Sequence, residues 1–183
     1  MELLDIVDER GEPVGQTVPR ETAHREGIRH RTSHVWIIRF KPDLQVLLQK
    51  RSENKDSFPG EWDTSSAGHI PAGSGWRESA SRELLEELGI AMPSDHFIEA
   101  GMLSIDSDSA FYGKPFHDRQ VSKIFLLFLD LPEDRFTVQK EELSEVRWFH
   151  LDQVISDVRN GSGSRCLILE ELEMVRRAGE EHR

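Results

Sequence analysis

The chain has 183 residues, 37% of them hydrophobic and 31% charged, which predicts one globular domain with a hydrophobic core. Its 34 acidic and 23 basic residues give a formal net charge of −11, which argues against binding a nucleic acid polymer by bulk electrostatics but allows a small phosphorylated ligand. The only cysteine, Cys166, cannot form an internal disulfide, which favours a reducing compartment.

The start of the chain and its longest apolar run bear on location. Residues 1–5 carry acidic rather than basic side chains, so no secretory signal is recognised. The longest purely apolar run, residues 124–129, is far shorter than the roughly 20 residues needed to cross a bilayer. We therefore expect a cytoplasmic protein with no membrane partner.

The first part of the chain is predicted to form short strands. Residues 3–7 and 13–17 surround a charged turn that contains a glycine, which predicts a hairpin. After a polar stretch, residues 35–40 and 46–51 carry the β-branched and aromatic side chains that are typical of buried strands.

A helix is predicted after a loop that contains glycine and proline. Trp76, Ala80, Leu84 and Leu88 follow one another at intervals of four residues, which makes an apolar stripe about three turns long. Gly89 is a natural end for this helix because glycine readily adopts the left-handed conformation.

The remainder of the chain alternates strands and helices irregularly. Strands are expected at residues 97–104, 121–129 and 146–149, and helices at residues 151–158 and 166–177. This order favours an α+β fold, with a mixed β-sheet between helices in a single domain of residues 1–183, over a doubly wound parallel sheet.

The segment 106–118 is polar and contains Gly113 and Pro115. Its length predicts a functional loop rather than a bare connection. We expect this loop to lie beside the site.

Three acidic residues share one face of the predicted helix. Glu83, Glu86 and Glu87 stand at positions i, i+3 and i+4, within an arc of roughly 100°. A solvated helix face is one interpretation of this pattern. The other is a cation site, since Mg²⁺ takes oxygen ligands and needs only one or two carboxylates besides substrate phosphate oxygens.

The residues around these glutamates form a longer pattern over residues 68–90. Gly68 is followed at fixed spacing by Arg82-Glu83-Leu84, Glu86-Glu87 and Gly89-Ile90. This resembles the Nudix box, Gly-x5-Glu-x7-Arg-Glu-U-x-Glu-Glu-x-Gly-U, where U is a bulky aliphatic residue. Only the first glutamate of the box differs, because this chain has Ser74 there. Glu78 lies one helical turn before Arg82 and Glu86 one turn after it, so the arginine can find a partner on either side, and we expect Glu78 to take over part of the orienting role.

The resemblance implies a Nudix fold and a hydrolase in which water attacks a phosphorus of a nucleoside diphosphate derivative, with Mg²⁺ or Mn²⁺ as cofactor. By position, Glu83, Glu86 and Glu87 are implied metal ligands, with the backbone carbonyl of Ala67 as an addition, and Arg82 belongs to the catalytic set. Family members often recruit one more acid as ligand or base. Among Asp106, Asp108 and Asp118 we choose Asp118, which precedes a predicted strand.

The chain also resembles, over roughly residues 3–150, the branch of this superfamily that contains type I isopentenyl diphosphate isomerase. The resemblance implies that His24, His30 and His69 hold a second metal or contact phosphate. The catalytic cysteine of the isomerase corresponds to Ala67 and its glutamate to Gln120. Neither residue can transfer a proton, which favours a hydrolase over an isomerase.

The remaining candidates concern substrate contacts and ordinary packing. Lys50, Arg51, Trp62, Gly68 and His69 are expected at the substrate, although basic residues at a strand end are often only solvated. Trp36 and Cys166 are expected to pack in the core. A surface position or a satisfied core position is expected of the other histidines, His34, His96, His117, His150 and His182.

Three functions therefore remain open. The first is a Mg²⁺- or Mn²⁺-dependent diphosphate hydrolase, a monomer or homodimer that acts on a small phosphorylated substrate. The second is a non-catalytic nucleotide-sensing module, which the absence of the box glutamate at Ser74 supports. The third is the isomerase.

Overall fold

The computed structural model describes residues 1–183, which form nine strands and four helices. The strands are β1 (Leu3–Val7), β2 (Pro13–Pro19), β3 (His30–Phe40), β4 (Leu44–Arg51), β5 (Trp62–Asp63), β6 (Ser66–His69), β7 (Ile98–Phe111), β8 (Lys114–Phe128) and β9 (Leu143–His150). The helices are α1 (Arg20–Glu26), α2 (Trp76–Leu88), α3 (Leu151–Arg159) and α4 (Leu169–Glu181). None of them is long and apolar enough to span a membrane.

Seven strands form one mixed sheet in the order β5-β4-β3-β8-β7. β6 pairs with the first half of β3, and β9 pairs with β4. β3 and β8 run parallel, whereas the other pairs are antiparallel. β1 and β2 form a separate hairpin. The predicted α+β fold with a mixed sheet between helices is confirmed.

The sheet is covered on both faces, and β3 shows this best. Val35 and Ile37 pack on the side of α2, while Trp36 and Ile38 pack on the side of α3 and α4. Successive side chains of a strand point to opposite faces. A strand covered on both sides therefore has a continuous apolar run instead of an alternating one.

Helix α2 begins and ends as its residue pattern predicts. Ala80, Leu84 and Leu88 are fully buried in the cluster that covers one face of the sheet. Gly89 adopts a φ of 68° and ends the helix, and its N–H donates to the carbonyl of Leu85. The helix is thus fixed along its length, which gives the glutamates on it defined positions.

The prediction of a loop at residues 106–118 is wrong. The segment belongs to the long strands β7 and β8, joined by a tight turn at Tyr112 and Gly113 with φ of 52° and 73°. Both strands extend beyond the start of β3, so one side of the hairpin meets solvent and carries polar side chains. This polarity gave the segment the composition of a loop.

Two helices also differ from the prediction, one in its start and one in its existence. α4 begins at Leu169, so Cys166 precedes it in a turn instead of lying within the helix. α1 was not predicted because its seven residues bury only Ala23 and His24, too few for an apolar stripe.

Candidate functional site

A cavity of about 670 Å³ opens beside the carboxylate face of α2 and the inner side of the β7–β8 hairpin. It brings together side chains from distant parts of the chain. Of the residues expected at the site, it is lined by His24, Arg51, Ala67, Gly68, His69, Glu83, Glu86, Glu87 and Asp118. His30 does not line the cavity. It lies completely buried behind His24 and His69, with its ring against theirs.

The carboxylates of α2 form one wall. Glu87 is only 7% exposed and accepts a hydrogen bond from the backbone N–H of Ala67 at 3.2 Å. Burial raises the pKa of Glu87 to about 8, and the nearby Glu83 carboxylate adds to this shift. Burial also raises the pKa of Glu83. The raised pKa values of these closely spaced carboxylates mean that the protein alone compensates their negative charge poorly. A bound cation would favour their ionised form.

Gly68 lets this wall approach the sheet. It lies on β6, where it is the register partner of Ser33. A Cβ atom at this position would overlap the side chain of Glu83. Glycine at this position therefore leaves the Glu83 side chain the space that it occupies, and it contributes no functional group of its own.

Arg82 contacts the glutamates that follow it. Its Nη2 lies 2.6 Å from Oε1 of Glu83, and its Nε lies 3.8 Å from Oε1 of Glu86. The carbonyl of His69 accepts a longer hydrogen bond of 3.5 Å. The expected pair with Glu78 is wrong, because Glu78 is exposed and Arg82 directs its guanidinium toward the C-terminal side of the helix.

Three histidines form a second wall, here called the histidine wall, in which His24 and His69 line the cavity and His30 lies buried behind them. Ring nitrogens of His24, His30 and His69 all lie within 4.8 Å of one another, and the two Nε2 atoms of His24 and His69 are 3.0 Å apart. Nδ1 of His30 lies 2.8 Å from the carbonyl of Ile28 and donates to it. Because the proton is on Nδ1, the Nε2 atom of His30 carries a lone pair, and this atom is buried without a hydrogen-bond partner.

The histidine wall is electrically neutral at neutral pH. Burial lowers the pKa of His24 to about 4, and it also lowers the pKa values of His30 and His69. Beside them, burial raises the pKa of Asp118 to about 6. Oδ1 of Asp118 lies 3.7 Å from Nδ1 of His24, and neither atom has a hydrogen-bond partner. Neutral imidazoles are the form that binds metal ions.

Asp118 reaches the cavity from a strand, not from a loop. Ile105, Ser107 and Ser109 on β7, and Phe116, Asp118 and Gln120 on β8, line the cavity. These residues alternate along their strands, as one face of a hairpin requires. Gln120 accepts a hydrogen bond of 2.7 Å from Oγ1 of Thr32 and donates one to Asp118, which fixes the carboxyl group.

Of the expected substrate contacts, Lys50 and Trp62 do not line the cavity, whereas Arg51 does. Lys50 and Trp62 are register partners and share a face, and Trp62 packs against Phe149 on the side of α3 and α4. Arg51 has the opposite strand parity and faces the cavity. Its Nη1 lies 3.0 Å from Oδ2 of Asp63.

Further cationic groups line the cavity, and no motif in the sequence marks them. They are Arg20, Lys55 and Arg165. They come from α1, from the loop after β4 and from the segment before α4. No local spacing connects these three positions, so only the fold brings them to the same cavity.

His34 and Cys166 also line the cavity. Nδ1 of His34 is 2.8 Å from Oε1 of Glu171. Burial disfavours the charged imidazole, but the Glu171 carboxylate outweighs this and raises the pKa of His34. Trp36 is buried as expected and donates to the same oxygen at 2.7 Å. Burial raises the pKa of Cys166, so its thiol stays protonated. Residues 30, 32, 34 and 36 alternate along β3, and this spacing was the signal that could have placed His34 on the same face of the strand as His30.

The sequence matches the family model of the NUDIX domain over residues 30–168. Nudix hydrolase 3 of Arabidopsis thaliana is 41% identical over 152 residues, which cover 80% of this chain and 19% of that protein. YfcD of Escherichia coli, an uncharacterized Nudix hydrolase, is 34% identical over 154 residues, which cover 84% of this chain and 76% of that protein. The chain thus spans about a fifth of the Arabidopsis protein and about three quarters of YfcD.

Solved structures share the fold at lower identity. DR0079 from Deinococcus radiodurans superposes with a TM-score of 0.67 at 21% identity, over 97% of this chain and 99% of that chain. The NUDIX domain of NrtR from Shewanella oneidensis, solved with ADP ribose, gives a TM-score of 0.59 at 16% identity, over 91% of this chain and 100% of that chain. The family match and the fold agree with the box of residues 68–90 on α2 and the loop before it. The chain therefore belongs to the Nudix family, whose members are hydrolases of pyrophosphate bonds and generally use divalent metal ions.

Proposed function

We propose that this chain is a divalent-metal-dependent hydrolase that cleaves the diphosphate linkage of a nucleoside diphosphate derivative. The observation that carries the proposal is the composition of one cavity. Glu83, Glu86 and Glu87 line it together with Arg51 and Lys55. A diphosphate carries several negative charges, so it requires cations beside the carboxylates, and Arg51 and Lys55 offer positive charge to its oxygens.

The residues on α2 fit a hard cation such as Mg²⁺. The donors are carboxylate oxygens, which this ion prefers, and the raised pKa values of Glu83 and Glu87 indicate that the protein alone compensates their charge poorly. Glu83, Glu86 and Glu87 would hold the ion, with the carbonyl of Ala67 as an additional ligand. A bound ion there would neutralise phosphate charge and lower the pKa of water.

The histidine wall fits a second cation. His30 presents a buried lone pair without a partner, and His24 and His69 bring two further imidazole nitrogens to the same point. Imidazole is a softer ligand than carboxylate and suits transition metals. We therefore assign His24, His30 and His69 to a site that prefers a transition-metal ion over Mg²⁺. Phosphate contact is the alternative role of these histidines.

The side chains around the two sites have separate tasks. Arg51 and Lys55 would bind phosphate oxygens. Arg82 would orient Glu83 and Glu86, which it contacts. Asp118 would accept the proton of the attacking water, because its Oδ1 is free of hydrogen bonds and burial raises its pKa to about 6, near the working range of a general base.

The test is release of phosphate or nucleotide from nucleoside di- and triphosphates, dinucleotides and nucleotide sugars with Mg²⁺ or Mn²⁺. The panel includes an ADP-ribose-type substrate, since the NrtR domain was solved with that ligand. Glu86→Gln with Glu87→Gln should abolish metal-dependent cleavage, while Glu170→Gln, on the exposed side of α4, should not. Cleavage that survives in the double variant would contradict the proposal.

Two other outcomes would redirect it. Conversion of isopentenyl diphosphate without phosphate release would indicate the isomerase. Against that function, the cavity has Ala67 and Gln120 where proton-transferring groups would be needed. Binding of an intact nucleotide with no turnover under any metal would indicate the sensing module.

A further inference from the structure

The loop that leads into α2 is held by the N-terminal hairpin. Leu4 and Pro71 form an isolated β-bridge, and the N–H of Ala72 donates to the carbonyl of Leu3 at 2.8 Å. β1 therefore acts as a clamp on residues 70–75, the segment in which the box pattern differs at Ser74. The hairpin lies outside the residues 30–168 that match the family model.

At the centre of the clamp, Asp5 on β1 and Arg31 on β3 form an ion pair. Nη2 of Arg31 lies 3.0 Å from Oδ2 of Asp5 and 3.1 Å from the carbonyl of Ser74. The same oxygen of Asp5 accepts a hydrogen bond of 2.9 Å from the N–H of Gly73. The two side chains are only 8% and 15% exposed, so these charge-assisted bonds are little weakened by solvent.

The clamp also reaches the first residue of the helix. The guanidinium of Arg31 lies 5.3 Å from the centre of the Trp76 ring, and Lys123 lies 5.2 Å from it. In the turn of the hairpin, Gly11 packs so closely that a Cβ atom there would lie 3.1 Å from the same ring. The start of α2 is thus fixed by groups that do not belong to the box.

We propose that Asp5 and Arg31 are positioning residues that set the direction of α2 and so the placement of its metal-binding carboxylates, an inference that rests on the proposed function. Position 74 has a serine where the box has a glutamate. Its backbone carbonyl is anchored by Arg31, and the carboxylate that completes this anchor comes from Asp5, about 70 residues earlier in the chain.

Helix geometry shows why small errors at this point matter. Glu83 follows Trp76 by seven residues, about 10 Å along the helix at a rise of 1.5 Å per residue. A tilt of about 10° at the start of the helix would move the Glu83 region by about 2 Å. Metal–ligand distances tolerate only about 0.2 Å, so loosening the anchor should weaken metal binding before it unfolds the protein.

The experiment measures Mn²⁺ binding by electron paramagnetic resonance of the free ion, together with the melting temperature. The double variant Glu86→Gln, Glu87→Gln defines which bound Mn²⁺ belongs to α2. Asp5→Asn should weaken that binding by about 10-fold or more. Glu12→Gln, which removes one exposed negative charge from the same hairpin, should leave it unchanged.

Rescue separates positioning from general stability. Asp5→Glu keeps the carboxylate and should retain most of the affinity. In Asp5→Ala, the added substitution Ser74→Glu places a carboxylate beside Arg31 and should recover it. A lower melting temperature with unchanged Mn²⁺ affinity in Asp5→Asn would overturn this inference alone. If the double variant Glu86→Gln, Glu87→Gln binds as much Mn²⁺ as the original chain, both the inference and the proposed function fail.

Discussion

The carboxylate wall on α2 and the histidine wall differ in how the chain builds them. Glu83, Glu86 and Glu87 belong to one helix, so their arrangement follows from helical spacing. His24, His30 and His69 come from α1, β3 and β6, and only the packing of these elements brings their nitrogens together. The arrangement of the glutamates relative to one another is therefore local to α2, and only the placement of that helix depends on other elements, whereas the histidine wall depends on the whole fold.

The two walls also differ in their electrostatics. Burial raises the pKa of Glu87 to about 8 and lowers the pKa of His24 to about 4. In both walls, burial favours the neutral form of the side chain. A metal ion would reverse this preference on the carboxylate wall, but it would match it on the histidine wall, where neutral imidazoles already present lone pairs.

The largest expected effect is that of Glu87→Gln. We expect metal-dependent turnover to fall by more than about 100-fold, since the substitution removes a metal ligand. Without metal at pH 8 to 9, however, the free energy of unfolding should rise by at least about 1 kcal/mol. The native pKa of Glu87, about 8, lies above the ordinary value of 4.5, so the original protein loses stability as the pH rises from 4.5 to about 8, and the glutamine variant does not. Turnover assays and urea denaturation test both halves, and lower stability in the variant would contradict the second.

The histidine wall predicts a pH dependence of opposite sign. Between pH 6.5 and about 4 the unfolded chain binds a proton at His24 that the native protein excludes. The stability contribution is therefore complete above pH 6.5 and is lost as the pH falls toward 4. His24→Gln should reduce the acid-induced loss of stability by up to about 3 kcal/mol. Urea denaturation between pH 4.5 and 7.5, without metal, measures this. His182→Gln, at an exposed position, serves as the control and should follow the original chain.

Gly68→Ala tests how closely the carboxylate wall must approach the sheet. The added Cβ would displace the Glu83 side chain, which is flexible and can move away, so we expect a clear fall in turnover and a loss of stability of no more than about 1 kcal/mol. Gly75 stands immediately before α2, has a φ of −85°, and would place an added Cβ no closer than 4.0 Å to another group, so Gly75→Ala should change little. Equal effects of the two substitutions would show that the contact with Glu83 is unimportant.

The smallest expected effect separates neighbouring residues on β4. Arg51→Ala should raise KM by about 10-fold, because a cationic hydrogen-bond donor to phosphate is lost. Lys50→Ala, whose side chain shares a face with Trp62, should leave KM within about 2-fold. A larger change at Lys50 than at Arg51 would contradict the assignment of faces.

Elements with a strong local signal were predicted well. The stripe of α2, its end at Gly89 and the apolar runs of β3 and β4 are properties of neighbouring residues. Strand parity was the main source of error. Lys50 and Arg51 are adjacent basic residues, yet only one faces the cavity, because successive side chains of a strand point in opposite directions. The β7–β8 hairpin was missed because the solvent-facing side chains of a projecting strand resemble those of a loop.

The amino-acid sequence by itself determined the family and the carboxylate helix, since the box is a contiguous pattern whose spacing and helical period can be read locally. It named His24, His30 and His69 only through a resemblance to another enzyme, not through their spacing. The tertiary structure alone decided that these rings meet, that His34 and Cys166 join them at the cavity, and that Asp5 anchors the loop at Ser74. The physical reason is that these contacts join distant segments, whose separation in space is set by sheet register and helix packing.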